Sequence, residues 1–231
     1  SSCYIENMSY FVQTGQKTCH DSTGWEIPCS ESGQDAEFAK GIPWPAPRFQ
    51  ENGETATDLL TGLTWLRNAN PAEFPLDLQA ALAFIDQMNR DHANDVSDWR
   101  LPDRRELRSL ISYQTKNPTL PENHPFSNIF PGWYWTSTTA AVNPDFSWCV
   151  HMGGGRVFYG AKIQYYLLWP VRGEAKETIQ CTSPIPRFEV EEGSDSVSDH
   201  LTGLRWRRSA NLTLEPVVCE HALKVIKKIN D

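Results

Sequence analysis

The apolar positions of the chain change period several times, and each change marks an element. Leu78, Ala81, Leu82, Ile85 and Met88 recur at the three-four spacing of an amphipathic helix, and Val218, Ala222, Val225, Ile226 and Ile229 do the same near the end. A shorter helix is predicted after Asp103, which stands in capping-box spacing to Glu106, with Leu107, Leu110 and Ile111 as its apolar face and Pro102 setting its entry. Elsewhere the period drops to two. Trp133 to Thr138 is dense in aromatic and β-branched residues and reads as a strand. Phe146 to Val150 and Arg156 to Tyr159 read as strands joined in a hairpin across Gly153-Gly154-Gly155. Tyr165 to Arg172 reads as a final strand, with Pro170 placing it on an edge or ending it. The Pro- and Asn-rich stretch from Asn117 to Pro131 reads as an ordered loop. Two short helices with an antiparallel sheet make an α+β domain.

One motif is written twice. Pro45-Ala46-Pro47-Arg48-Phe49 returns as Pro184-Ile185-Pro186-Arg187-Phe188, and Asp58-Leu59-Leu60-Thr61-Gly62-Leu63-Thr64-Trp65 returns as Asp199-His200-Leu201-Thr202-Gly203-Leu204-Arg205-Trp206. Trp65 to Trp206 and Ala69 to Ala210 share one offset, so the helix patterns that follow coincide without a gap. Each copy reads as an extended segment, a Thr-Gly turn, a strand carrying a tryptophan, and a helix. Only the first continues, into Trp99-Arg100-Leu101-Pro102 and the β-rich stretch, so the second is an opening fragment. Strand and helix alone cannot bury their apolar faces, so this fragment must pack on the first domain, on another chain, or on residues outside this sequence. The expected organisation is a leader over 1–43 packed on the domain, a complete domain over 44–173, and a linker with the partial second copy over 174–231.

With 231 residues, 39% hydrophobic and 22% charged, the chain is long enough for a sizeable core and has an ordinary globular composition. A net charge of -8 with dispersed Lys and Arg argues against a nucleic-acid partner, since phosphate neutralisation needs clustered cations. The nearest cluster, Arg104, Arg105 and Arg108, follows a helix start and reads as a solvated face. No apolar run approaches bilayer length, which argues against membrane insertion. Ser1-Ser2-Cys3 resembles a mature end left by signal cleavage. Cys19 and Cys29 flank a loop containing Asp21, Gly24 and Pro28, whose turn residues let the ends meet in a disulfide. That bridge implies an oxidising compartment: periplasm, cell surface or medium. Cys3, Cys149, Cys181 and Cys219 leave three connectivities open.

No histidine lies in H-E-x-x-H and no serine in G-x-S-x-G, so no catalytic residue is assigned and the chain is not read as an enzyme. His124 reads as a loop hydrogen-bonder. Alternation puts Cys149 and His151 on one strand face, a plain sheet position between Trp148 and Val150. Neither C-x-x-C nor EF-hand spacing occurs, so no cofactor or metal is assigned; were calcium bound, Asp35, Glu37, Asn52 and Asp58 would be the first suspects. The strongest binding signal is aromatic. Trp133, Trp135, Trp148, Phe158, Tyr159, Tyr165, Tyr166 and Trp169 crowd the β-rich third, where alternation turns half of a strand's side chains to the core. Exposed tyrosines make favoured contacts, and Tyr159, Lys162, Gln164 and Tyr165 around Gly160 are the expected ligand residues.

Thr61-Gly62-Leu63-Thr64-Trp65, the helix around Ala81-Leu82, Asp98-Trp99-Arg100-Leu101-Pro102, Arg105-Glu106-Leu107, Trp135-Thr136-Ser137-Thr138 and Trp169-Pro170-Val171-Arg172 resemble, in order, the Lcl C-terminal domain family, named for a bacterial collagen-like adhesin. The stretch from Thr14 through Cys19, Cys29 and Gly33-Gln34-Asp35 to Phe49 is similar to the leader of many secreted members. The likeness covers about 14 to 173 and restarts near 184. It implies an extracellular, cell-surface or periplasmic domain with a C-type-lectin-like fold that binds a glycan or a protein partner. In related domains that vary their ligand contacts, those contacts lie on the last hairpin and strand, here about Phe158 to Leu168. The other reading is a structural subunit of a surface assembly, a homo-oligomer or filament in which the partial second copy packs on a neighbouring chain.

Overall fold

The computed structural model describes residues 11–175 and 186–230. Cys3, Cys181, Pro184 and Ile185 lie outside the described residues. Two compact units are present, one comprising the described residues of 1–43 and 178–231, the other those of 44–177. No helix among the described residues is long and apolar enough to cross a membrane.

Cys19 and Cys29 are disulfide-bonded, as the loop composition predicts. The ring between them holds β1 (Cys19–His20) and β2 (Glu26–Ile27), paired antiparallel around a turn. Asp21 fixes that turn by accepting the Thr23 and Trp25 backbone N–H groups. A single helical turn, α1 (Asp35–Phe38), follows.

The second unit opens with β3 (Phe49–Asn52), β4 (Thr55–Asp58) and β5 (Thr64–Leu66). Helices α2 (Leu78–Arg90) and α3 (Arg104–Ser109) come next. Asp77 caps α2 by accepting the Ala80 N–H, and Asp103 with Glu106 forms a complete capping box on α3. Strands β6 (Trp133–Thr139), β7 (Phe146–His151), β8 (Val157–Ala161) and β9 (Val171–Arg172) complete the unit. One sheet has the order β3-β4-β5-β9, the other β6-β7-β8, and every pairing is antiparallel.

The closing strand is shorter than its composition suggests. Tyr166 exchanges backbone bonds with Leu76, Leu167 bonds Trp133 and Trp135, and the Pro170 carbonyl accepts from Leu66, so each residue serves a different neighbour. Only Val171 and Arg172 form a ladder, against Thr64 and Trp65. The final segment is thus a strut between sheets.

Two apolar clusters form the core. One gathers Trp65, Leu107, Leu110, Phe126, Tyr134, Val150 and Trp169. The other sets α2, through Leu78, Ala81 and Ile85, against Trp99, Trp135 and Leu168. Trp169 meets Trp65 and Phe126 edge-on at 5.5 and 4.8 Å. Buried indoles need hydrogen-bond acceptors: Trp169 donates to the Leu66 carbonyl at 2.7 Å, and Trp135 to that of Leu76 at 2.8 Å.

In the first unit, β10 (Phe188–Val190), β11 (Ser196–Asp199) and β12 (Leu204–Arg207) form a sheet in that order, followed by α4 (Cys219–Asn230). Its hydrogen bonds mirror those of β3 to β5. Arg48 grips Asp58 with two bonds of 3.1 and 2.8 Å, and Arg187 grips Asp199 with two of 3.0 and 3.1 Å. The Asp58 carbonyl accepts Gly62 N–H at 2.7 Å and that of Asp199 accepts Gly203 N–H at 2.8 Å. Arg67 N–H donates to Glu54 and Arg208 N–H to Asp195. Leu223 of α4 lies over Gly33 of the leader. Cys149, buried, and Cys219, exposed, are free thiols.

Candidate functional site

Register decides which side chains share a face of the β6-β7-β8 sheet. Trp135, Cys149 and Phe158 lie in one cross-strand row, and Trp133 faces His151, so these five project to one side. Tyr134, Val150 and Val157 occupy the other side, joined by the pair Trp148 and Tyr159. On the first side α2 seals the Trp135 end, leaving Trp133, His151 and Tyr166 half-buried and Phe158 57% exposed. On the second side Tyr134 and Val150 belong to the core, while Trp148 and Tyr159 are half-buried.

The two sets of rings join around β8, which pairs only with β7 among the described residues. Phe158 and Tyr159, neighbours that alternation sends to opposite faces, stack nearly parallel at 4.8 Å, having lapped the open edge. From Tyr159 the contacts run to Trp148 at 5.2 Å. From Phe158 they run to Trp133 at 6.5 Å, and from Trp133 to His151 at 4.9 Å and Tyr166 at 6.4 Å. An arginine stands at either end: Arg104 of α3 lies 4.5 Å over Trp148, and Arg156 of the hairpin 5.8 Å from Trp133. The result is a continuous aromatic band wrapped around a sheet edge.

His151 accepts the Gly153 N–H at Nδ1, 3.1 Å away, so its ring proton sits on Nε2. Burial, then the nearby Arg156 charge, lowers its pKa, and the ring is neutral near pH 7. Cys149 is pushed up to about 12 by burial and donates to the Phe158 carbonyl, so it offers no thiolate. Gln164 accepts from the Tyr166 hydroxyl at 2.9 Å and from the Ala161 N–H at 3.0 Å, pinning Tyr166 over Gly160. A Cβ on Gly160 would stand 2.5 Å from the Tyr166 hydroxyl oxygen and 2.7 Å from Gln164 Oε1, so a larger residue there must displace those side chains.

Of the four residues expected from sequence, Tyr159 belongs to the band, and Tyr165, next in the chain to Tyr166, is 68% exposed. Gln164 instead holds Tyr166, and Lys162 is half-buried where its backbone bonds Asp145 and Leu78. The sequence places Trp133, Trp148, Phe158 and Tyr166 in its aromatic-rich third without choosing them as contacts; it reads Arg104 as part of a solvated face and does not single out Arg156. Alternation across the Gly153 to Gly155 turn could have found Phe158. Nothing in the sequence reveals Arg104, which left the expected solvated face to cover Trp148 from another element; Arg105 and Arg108 are exposed. His124 accepts the Phe126 N–H, a loop bond of the kind expected.

Three of the four calcium suspects, Asp35, Glu37 and Asp58, have carboxylates engaged in hydrogen bonds within the protein. The Asp58 carboxylate accepts from Arg48, Thr61 and the Leu60 N–H, and that of Glu37 from the Glu31 and Gly33 N–H groups. Asp35 accepts from the Thr14 hydroxyl. No group of three His, Cys, Asp or Glu side chains among the described residues could hold a metal ion.

No curated protein matches the chain. The Lcl C-terminal domain matches residues 54–172, a span that runs from the approach to β4 through the aromatic band to the end of β9. Over half the chain falls within that match, and the chain therefore belongs to the Lcl C-terminal domain family, which suggests a surface or extracellular role.

Proposed function

We propose that this chain is an extracellular recognition module, not an enzyme, and that it binds a glycan along the aromatic band at the β8 edge. The observation that carries the reading is the band itself: half-exposed rings in unbroken contact with a guanidinium at either end. Ring faces stack on the C–H faces of sugars, and arginine forks supply charge-assisted donors to hydroxyl or acidic groups. The neutral His151 adds a donor at Nε2. The absence of a thiolate at Cys149 supports a binding role over nucleophilic catalysis. No cofactor or metal enters this reading, and nothing in it requires a nucleic acid or insertion into a membrane.

The test is a glycan and cell-surface protein array probed with the wild type, with Phe158→Ala, and with Tyr159→Ala combined with Tyr165→Ala. Loss of a central aromatic contact costs about 1–3 kcal/mol of binding, so Phe158→Ala weakens capture about fivefold or more. Because Phe158 is exposed, the melting temperature stays near that of the wild type. Undiminished capture by all variants overturns the proposal, and capture of proteins alone moves the ligand class to protein.

The 44–175 unit reads as C-type-lectin-like. Its opening and closing strands meet in one sheet through β5 and β9, while a separate three-stranded sheet carries the candidate surface. Residues 186–230 read as an incomplete second copy, supported by the matching arginine–aspartate grips and turn bonds. A structural subunit role, in which that copy packs on a neighbour, is the second reading. The exposed faces of β12 and α4 favour it.

A further inference from the structure

The two Arg–Asp turns carry matching hydrogen bonds, yet their surroundings differ at the positions where apolar residues stand. Trp65 on β5 is 0% exposed; its counterpart Trp206 on β12 is 54% exposed. In the complete domain β9 adds to β5 through the pairs Thr64 with Arg172 and Trp65 with Val171, and Trp169 stacks on Trp65. Among the described residues β12 pairs with β11 alone, so the edge at Arg205 and Trp206 carries the groups that β9 satisfies in β5. The helices repeat the contrast. Leu78, Ala81 and Ile85 bury α2 against Trp99, Trp135 and Leu168. At the corresponding positions of α4 stand Cys219, Ala222 and Ile226, and Ile226 is 49% exposed where Ile85 is 3% exposed. Among the described residues the leader meets α4 at Leu223, whose counterpart Leu82 belongs to the exposed flank of α2.

We infer that the β12 edge, Trp206 and the Ile226 face of α4 form a half-interface whose occupant is the remaining part of a second domain of this family, a polypeptide segment with the chemistry of residues 91–172. The first unit specifies what that segment must bring. It needs a strand of the Trp-Pro-Val-Arg kind to add to β12 at Arg205 and Trp206. It also needs an aromatic–aliphatic face, as Trp135 and Leu168 provide for α2, to cover Ile226. A glycan or a lipid surface supplies no ladder of backbone groups and does not fit.

The experiment extends the full chain at Asp231 with a second copy of its own residues 91–173 as the probe, and follows the Trp206 indole and the Arg205 and Trp206 amides by NMR. Occupancy predicts that the Trp206 side chain becomes shielded from a soluble paramagnetic probe and that both amides gain at least tenfold protection from hydrogen exchange. Ile226→Asp in the extended chain reverses both changes, while Ile226→Val retains them. An appended segment that stays unfolded, or folds while Trp206 and Ile226 remain exposed, overturns the inference. Glycan capture by the β8 band is read separately on the unextended chain, so failure of one reading is distinguishable from failure of the other.

Discussion

At the scale of single residues, this chain relies on a few side chains that have no substitute. Arg48 and Asp58 are both buried, and Asp58 bonds the guanidinium twice while accepting from the Leu60 N–H and the Thr61 hydroxyl. Removing one partner leaves the other charge without compensation, so Asp58→Ala destabilises the domain by about 3–5 kcal/mol in denaturant titration. Gly160 is held by geometry rather than charge. An alanine there must displace the Tyr166 ring, and Gly160→Ala therefore costs about 1–3 kcal/mol by thermal melting. It also shifts the Tyr166 resonances, which places the cause at that ring. These two sites differ in what a reader of the sequence can see. The Arg–Asp pairing is hinted at by its recurrence as Arg187 and Asp199, whereas the need for glycine at 160 appears only once Tyr166 is placed above it.

At the scale of elements, local patterns proved readable where local physics decides them. The three-four spacing found α2 and α4, the Asp103–Glu106 spacing found the α3 capping box, and the glycine run found the β7–β8 hairpin. The sequence predicts too long a β9 strand, because Tyr166 to Trp169 is apolar for the sake of two clusters and the segment distributes its backbone bonds among several partners. The candidate site was half legible. Tyr159 and Tyr165 stand out in sequence, but the irregular register between Trp135 and Thr139 hides the facing of β6 against β7, and Arg104 arrives by tertiary packing. The β11–β12 turn makes its own prediction. Hydrogen bonds from Arg187 foremost lower Asp199 from its ordinary 3.8 to about 2. The unfolded chain therefore takes up this proton first, and the stabilisation is present above about pH 4 and lost as pH falls toward 2. The Leu201 amide, which donates to Asp199 Oδ1, reports this in NMR with a midpoint near 2; a midpoint near 3.8 contradicts it.

At the scale of the whole molecule, the chain divides into one unit that holds the family match and a second that draws on residues 1–43 and 178–231. The family match stops at residue 172, and within it one sheet edge bears a set of rings in mutual contact. The net charge of the chain is -8, while Arg104 and Arg156 place positive charge at the two ends of the band. That combination suits a selective contact with a defined ligand. The most direct test is hydroxyl-radical footprinting of the protein with and without the ligand that the array selects. Protection of Trp133, Phe158, Tyr159 and Tyr165, with Trp25 and Trp206 labelled as before, is the predicted result; undiminished labelling of the band while Trp25 or Trp206 becomes protected would contradict it.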